Sequence, residues 1–202
     1  MTKELQLNDE RRMLLIATSV AAAVPAVSSV GALVSTFQPS ERAKAAGAPV
    51  EVDIADLAPG EMRTVEWRGK PVWILKRTPE MLASLQQIEG KLVDPGSQRN
   101  PDEFTPEYAR NTHRSIKPEV LVTIGICTHL GCSPTSKFAT GPQPSLPDDW
   151  AGGFLCPCHG SIFDLAGRVF KNMPAPDNLP VPRHMYLTDT RLVIGKDQQG
   201  EA

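Results

Sequence analysis

Two short boxes carry the residues of this sequence that could bind a metal, CTHLGC at residues 127–132 and CPCHGS at residues 156–161. Their cysteines and histidines are Cys127, His129, Cys132, Cys156, Cys158 and His159. Thiolate sulfur and imidazole nitrogen are ligands of zinc and iron–sulfur centres. Because all four cysteines of the chain fall within these boxes, the sequence predicts a single metal site.

Three kinds of metal site are compatible with the two boxes. A structural zinc site of two cysteines and two histidines is chemically possible but leaves two cysteines without a role. A cluster held by four cysteines leaves both histidines idle. A Rieske-type [2Fe-2S] centre uses two cysteines and two histidines and leaves one cysteine in each box, and these two can form a disulfide. Only the third kind accounts for every cysteine, and it is the one we favour.

The composition and hydrophobic pattern predict an all-β domain over residues 50–202. The net charge of −2 argues against nucleic-acid binding, which usually needs a basic face. Period-two alternation begins at Val50, and the segments TVEWRGKPVWIL, SIFDLAGRVF and MYLTDTRLVIG each predict a hairpin. Residues 79–88 predict a short helix. We expect stacked small antiparallel sheets with each box at the end of a strand.

An uncharged run over residues 13–37 predicts a transmembrane helix. At about 1.5 Å per residue it can cross a hydrocarbon core of about 30 Å. A cleaved signal peptide would have a shorter apolar core, so we expect a retained anchor. Arg11 and Arg12, in an N-terminal tail at residues 1–12, are similar to a twin-arginine export signal. Residues 38–49 predict a flexible hinge, and residues 91–112 an irregular insertion without recognisable chemistry.

Over nearly its whole length the sequence resembles the Rieske iron–sulfur subunit of the bacterial ubiquinol–cytochrome c reductase (cytochrome bc) complex. The resemblance rests on the twin arginine, the anchor, the linker, the segments GAPVEVDI and RGKPVWIL, both boxes and the PAP loop at residues 174–176. It implies one [2Fe-2S] cluster per chain, bound by loops within about residues 125–176. The implied ligands are Cys127, His129, Cys156 and His159. The implied disulfide joins Cys132 and Cys158.

The resemblance also gives roles to residues around the ligands. It implies that Leu130 covers the exposed histidines and that Ser161 donates a hydrogen bond to a bridging sulfide. Gly131 and Gly160 are expected to let the backbone approach the cluster closely. Pro174 is expected to begin a third loop that shields the cluster.

Two positions depart from the usual pattern of this family. Met173 stands where the family usually has glycine before the first proline of the third loop. Phe163 stands where many high-potential members carry a tyrosine that donates to a cysteine sulfur. Since phenylalanine has no donor, the resemblance implies a lower reduction potential for this chain.

The function implied by the resemblance is electron transfer from ubiquinol to cytochrome c. His159 is expected to contact the quinol, next to His129. The implied partners are a cytochrome b subunit, which supplies most of the quinol pocket, and a membrane-anchored cytochrome c subunit, in a dimeric complex. The implied location is the bacterial inner membrane with the head in the periplasm. Because both redox partners cannot be adjacent at once, the head is expected to move on the hinge.

Two other classes of protein share part of this pattern. Soluble Rieske ferredoxins and oxygenase components lack the disulfide pair and the anchor, and this sequence has both. The small subunit of a periplasmic oxidoreductase such as an arsenite oxidase can share the export signal. The GKPVWIL segment favours the quinol complex.

Overall fold

The computed structural model describes residues 2–40, 43, 45, 47–99 and 104–201. The chain divides into an N-terminal unit up to Ala45 and a C-terminal unit after it. The C-terminal unit contains the domain predicted from the alternating pattern.

Residues 2–35 of the N-terminal unit form one long helix. Helix α1 (Thr2–Ser35) starts well before the expected residue Met13, because neither glycine nor proline interrupts the preceding residues. It continues through Pro25 and ends before Phe37. Its Asn8–Ser35 portion is long and apolar enough to cross a membrane, by length and composition.

The predicted hinge lies partly outside the described residues. Its residues 41, 42, 44 and 46 are not among them. The described residues Ala43, Ala45 and Gly47 have helical backbone. The hinge function of this segment therefore stays a prediction.

The C-terminal unit is built from small antiparallel sheets, as expected. Three sheets have three strands each, in the orders β1-β9-β8, β2-β3-β4 and β5-β6-β7, and β10 pairs with β11. In chain order the elements are β1 (Val50–Asp53), β2 (Met62–Trp67), β3 (Lys70–Lys76), α2 (Pro79–Gln87), β4 (Val120–Ile124), β5 (Thr135–Lys137), β6 (Gly153–Leu155), β7 (Ile162–Asp164), β8 (His184–Tyr186), β9 (Arg191–Ile194), β10 (Lys196–Asp197) and β11 (Gly200–Glu201).

Two of the three predicted hairpins are regular. Strands β2 and β3 pair from Met62 with Leu75 to Trp67 with Lys70, and β8 pairs with β9. The third prediction, over SIFDLAGRVF, is only partly right. Its first half is β7, but its second half forms only isolated bridges, from Val169 to Phe163 and from Phe170 to Leu92. Backbone hydrogen bonds from the Asp164 N–H to the Arg168 carbonyl and from the Phe170 N–H to the Ile162 carbonyl nevertheless join the two halves.

Strand β3 separates two hydrophobic cores, which explains why its sequence is a continuous apolar run. Val72 and Ile74 face one core, together with residues of β1 and β9. Trp73 and Leu75 face the other core, which contains Cys127. Because successive side chains of a strand point to opposite faces, a strand that is buried on both sides loses its polar positions. The free cysteines thus lie against the centre of the fold.

Helix α2 begins where the sequence predicts it, after β3. The Thr78 hydroxyl accepts a hydrogen bond from the Met81 N–H, and Pro79 occupies the first turn, where its missing N–H costs nothing. Beyond it the insertion is irregular, as expected, apart from short 3-10 turns at Glu89–Lys91 and Glu107–Ala109. Residues 100–103 of the insertion lie outside the described part of the chain.

Candidate metal centre

The first box forms a tight loop directly after strand β4. The Cys127 N–H donates to the Cys132 carbonyl at 2.8 Å, and the Gly131 N–H donates to the Cys127 carbonyl at 3.1 Å. Gly131 has φ of 80°, a left-handed conformation that residues with a β-carbon rarely adopt. The glycine is therefore required by the turn itself.

The second box repeats this loop between strands β6 and β7. The Cys156 N–H donates to the Ser161 carbonyl at 2.8 Å, and the Gly160 N–H donates to the Cys156 carbonyl at 3.0 Å. Gly160 has φ of 75°. The two boxes thus share one backbone design, in which a cysteine begins a six-residue turn and a glycine occupies its fifth position.

A disulfide joins the two loops at Cys132 and Cys158, the pair that the resemblance implies. Their Cα atoms lie 6.7 Å apart. Cys127 and Cys156 remain free, and both are almost fully buried, with 2% of their surface exposed. The structure therefore separates the four cysteines into a cross-link and two inward-facing thiols.

The histidines of the two boxes meet on the outer side of the loops. The imidazole rings of His129 and His159 lie edge to face with their centroids 4.7 Å apart. His159 is exposed and His129 is partly buried. Leu130, which follows His129 in the first box, is 70% exposed. Sulfur donors thus lie toward the core and nitrogen donors toward solvent.

Burial determines the state of the inner sulfurs when no metal is bound. Burial raises the pKa of the Cys127 thiol, and a hydrogen bond with the neighbouring Cys156 raises it further. Hydrogen bonds from the His129 backbone and from Ser161 act in the opposite direction without cancelling the increase in that pKa. A buried thiolate here needs a nearby positive charge, which a bound metal supplies.

Hydrogen bonds from both boxes hold a third loop, residues 173–177. The Ala175 N–H donates to the Ser161 hydroxyl at 3.0 Å, and the Thr128 hydroxyl donates to the Asp177 carbonyl at 2.7 Å. Pro174 is exposed at the start of this loop. Met173 packs against two hydrophobic clusters.

The turn into the third loop is made one residue earlier than the family pattern suggests. Asn172 has φ of 61°. Asparagine tolerates this left-handed conformation better than other residues with a β-carbon. The chain therefore does not need glycine at position 173 to make this turn.

Two glycines near the site were missed by sequence reasoning. A β-carbon on Gly125, just after β4, would overlap the Trp73 indole, and one on Gly153 in β6 would overlap the Phe163 carbonyl. Trp73 in turn stacks on Phe154, with ring centroids 4.8 Å apart. Thr128 was also missed, because a lone threonine inside a box carries no signal of its distant partner.

The donor set fits a two-iron centre with mixed ligands. The sulfurs of Cys132, Cys156 and Cys158 lie within 4.8 Å of one another, but two of them are bonded to each other and cannot act as thiolates. A cluster with four cysteine ligands is therefore excluded in the disulfide form. Two free sulfurs and two adjacent imidazoles remain, the set that a Rieske centre uses.

The other two histidines of the chain have structural surroundings. His184 is buried, its Nδ1 lies 2.8 Å from the Pro182 carbonyl, and its ring packs edge to face on Tyr108. His113 is partly buried, and its carbonyl accepts a hydrogen bond from Arg77. Neither belongs to the boxes, in agreement with the sequence analysis.

The family follows from comparison with known sequences. The model of the Rieske [2Fe-2S] domain family matches residues 49–183, which include both boxes and the third loop. This chain belongs to the Rieske [2Fe-2S] domain family.

Its relatives identify a narrower group within that family. The chain is 58% identical to the "Ubiquinol-cytochrome c reductase iron-sulfur subunit" of Allochromatium vinosum over 93% of this chain and 89% of that protein. It is 38% identical to the subunit of the same name from Bradyrhizobium diazoefficiens, over 92% of this chain and 93% of that protein. A solved structure titled "Hyperthermophilic respiratory Complex III" is 25% identical with a TM-score of 0.45, covering 88% of this chain and 97% of that one.

Proposed function

We propose that this chain is the electron-transfer subunit of a ubiquinol–cytochrome c reductase. The observation that carries the proposal is the arrangement of possible metal ligands in the two disulfide-linked loops. Two free thiols are buried on the inner side of these loops, and two adjacent imidazoles lie on their outer side. The relatives from Allochromatium vinosum and Bradyrhizobium diazoefficiens, matched over nine tenths of the chain, support the same function.

In this proposal Cys127 and Cys156 bind one iron of a [2Fe-2S] cluster, and His129 and His159 bind the other. Such a cluster supplies one-electron chemistry at about −150 to +300 mV, which suits a quinol donor. Two neutral imidazoles in place of two thiolates make the site less negative, and this favours reduction. Ser161, fully buried and already bound to the third loop, holds a hydroxyl proton that can be donated to sulfur.

The exposed tip is the surface that contacts the quinol and its pocket. His159 is exposed there, as are Leu130 of the first box and Pro174 of the third loop. An imidazole nitrogen facing outward can accept a hydrogen bond from a quinol hydroxyl. The surrounding apolar side chains exclude water when they dock into an apolar pocket, which we assign to a cytochrome b subunit. His129, partly buried, has the smaller share of this contact.

The anchor and its orientation complete the proposal. Helix α1 spans the inner membrane once, with residues 1–12 in the cytoplasm and the head in the periplasm, where a disulfide persists. Arg11 and Arg12 act in twin-arginine export. Residues 38–49 form the hinge on which the head moves between cytochrome b and a membrane-anchored cytochrome c, in a dimeric complex.

Purification from native membranes tests this function. The full-length chain should copurify with a cytochrome b and a cytochrome c, and the complex should reduce added cytochrome c with ubiquinol. Cys156→Ser should abolish that activity while the chain remains in the membrane. Copurification with an oxidoreductase that lacks cytochrome b would instead indicate the small subunit of a different enzyme.

A further inference from the structure

The insertion at residues 91–112 carries no chemistry in sequence, yet the structure places its first turn against the third loop. Asp94 fixes this turn by accepting hydrogen bonds from two backbone N–H groups, Gln98 at 2.9 Å and Arg99 at 2.8 Å. Ser97 lies inside the turn with φ of 53°. Asp94 is only 8% exposed. Arg99 is therefore presented from a rigid turn.

A buried amide anchors the same turn at the end of the third loop. The Asn178 side chain donates to the Asp94 carbonyl at 2.9 Å and to the Ser97 hydroxyl at 3.2 Å. Its oxygen accepts from the Val169 N–H at 2.9 Å. The fully buried Arg114 donates from Nε to the same Ser97 hydroxyl oxygen at 2.8 Å. The turn is thus attached to the core through Asn178 and Arg114.

Arg99 reaches from this turn to the third loop itself. Its Nη1 donates to the Pro176 carbonyl at 2.8 Å, and its Nε lies 3.8 Å from the Asp177 carboxylate. The third loop has few backbone donors of its own, because prolines occupy two of its positions. Its other anchors are the contacts from Ser161 and Thr128, one from each box.

We infer that Arg99 is a positioning residue, which holds the third loop closed over the inner sulfurs of the metal site. The inference rests on the proposed function for the identity of the bound group, but the contact itself exists in the protein alone. The hydrogen bond and the ion pair of Arg99 go to Pro176 and Asp177 and not to a residue of either box. Arg99 acts through the third loop, which shields the site, and the insertion holds Arg99 in place.

The test compares Arg99→Ala with a matched arginine elsewhere in the full-length chain. Arg191 is the control, because its side chain is 53% exposed against 51% for Arg99 and it also has a carboxylate partner, Glu51 at 3.0 Å. Arg191→Ala removes the same charge from the β1-β9-β8 sheet. Arg99→Lys keeps a cation that can still donate to the Pro176 carbonyl.

Two rates are measured for each variant: hydrogen exchange at the Ala175 amide and iron release to a chelator. Arg99→Ala should speed Ala175 exchange by about tenfold, the factor expected for one lost hydrogen bond from a charged donor. It should also speed iron release, with a fall in the unfolding midpoint no larger than the loss of that one hydrogen bond accounts for. Arg99→Lys should restore most of both rates, and Arg191→Ala should match the unmodified chain.

Ala175 exchange that is equal in Arg99→Ala and Arg191→Ala would overturn the inference. So would faster exchange throughout the domain, since that indicates general destabilisation. A chain without iron would contradict the proposed function only, because Ala175 exchange still reports on the loop in the metal-free protein.

Discussion

Gly125 lies so close to the Trp73 indole that a β-carbon at this position would overlap the ring. Trp73 stacks on Phe154, which lies two residues before the second box. The contact therefore joins the entrance of the first box to the strand that leads into the second.

We expect Gly125→Ala to destabilise the domain by about 3 kcal/mol, at the upper end of the range for overpacked cores. Thermal unfolding measures this directly. Gly90→Ala is the matched control, because nothing lies within 4 Å of a β-carbon there. It should change stability by less than about 0.5 kcal/mol. Equal midpoints for the two variants would show that Trp73 can move aside freely.

The disulfide should stabilise the head by closing a long loop. Cys132 and Cys158 are 26 positions apart, and the chain-entropy model gives about 3–4 kcal/mol for a loop of that size. Replacing both with serine should lower the free energy of unfolding by that amount without removing a proposed iron ligand. Denaturant titration gives the value. Ready labelling of both cysteines by a thiol reagent in the native chain would contradict the pairing.

Phe163 offers a test of the chain's proposed redox tuning. It is fully buried in the same hydrophobic cluster as Cys127 and Cys156. In Phe163→Tyr a new hydroxyl can donate to a ligand sulfur. A net hydrogen bond of about 1 kcal/mol raises a one-electron potential by roughly 40 mV. Voltammetry at fixed pH measures the shift.

Phe170→Tyr is the control for that measurement. Phe170 is buried in a different cluster, with Trp150. The hydroxyl that Phe170→Tyr introduces therefore has no ligand sulfur to reach. Its potential should equal that of the unmodified chain. If the reduction potential of Phe163→Tyr falls or stays unchanged, the hydroxyl does not reach the sulfur.

His184 makes the fold sensitive to mild acid. Its burial lowers its pKa, against smaller opposing effects of the Pro182 carbonyl and Asp197. The folded chain thus keeps the ring neutral while the unfolded chain takes up a proton below about pH 6.5, the ordinary value. Because the unfolded state then binds more protons, stability falls as pH decreases through that value.

The expected readout is a lower unfolding midpoint at pH 5.5 than at pH 7.5. In His184→Gln the difference between the two midpoints should be smaller, whatever the absolute stability of the variant. An identical difference in both proteins would mean that other groups cause the acid sensitivity.

Local patterns predicted the parts of the fold that depend on near neighbours. The alternation around Gly69 predicted the β2–β3 hairpin, with the apolar run from Val72 as its second strand. A strand was expected before the second box, where β6 lies, but β5 was missed, because it has only three residues. Such short strands are stable only through their pairing, which residue order does not display.

The site likewise has features that the sequence predicted and features that it did not. The resemblance carried by the two boxes gave the Cys132–Cys158 pairing, which the structure forms. The ligand set stays a prediction. The contacts that build the third loop, such as Thr128 with Asp177, join residues far apart in the chain. These contacts follow from tertiary packing, and no local sequence motif indicates them.

The most direct test of the account is the metal and sulfide content of the purified full-length chain. The account predicts two irons and two acid-labile sulfides per chain, with a rhombic electron paramagnetic resonance signal after reduction. Separate replacement of Cys127, His129, Cys156 or His159 should abolish that signal. Tightly bound zinc without labile sulfide would contradict the account, because the same two thiols and two imidazoles would then form a structural site with no electron to transfer.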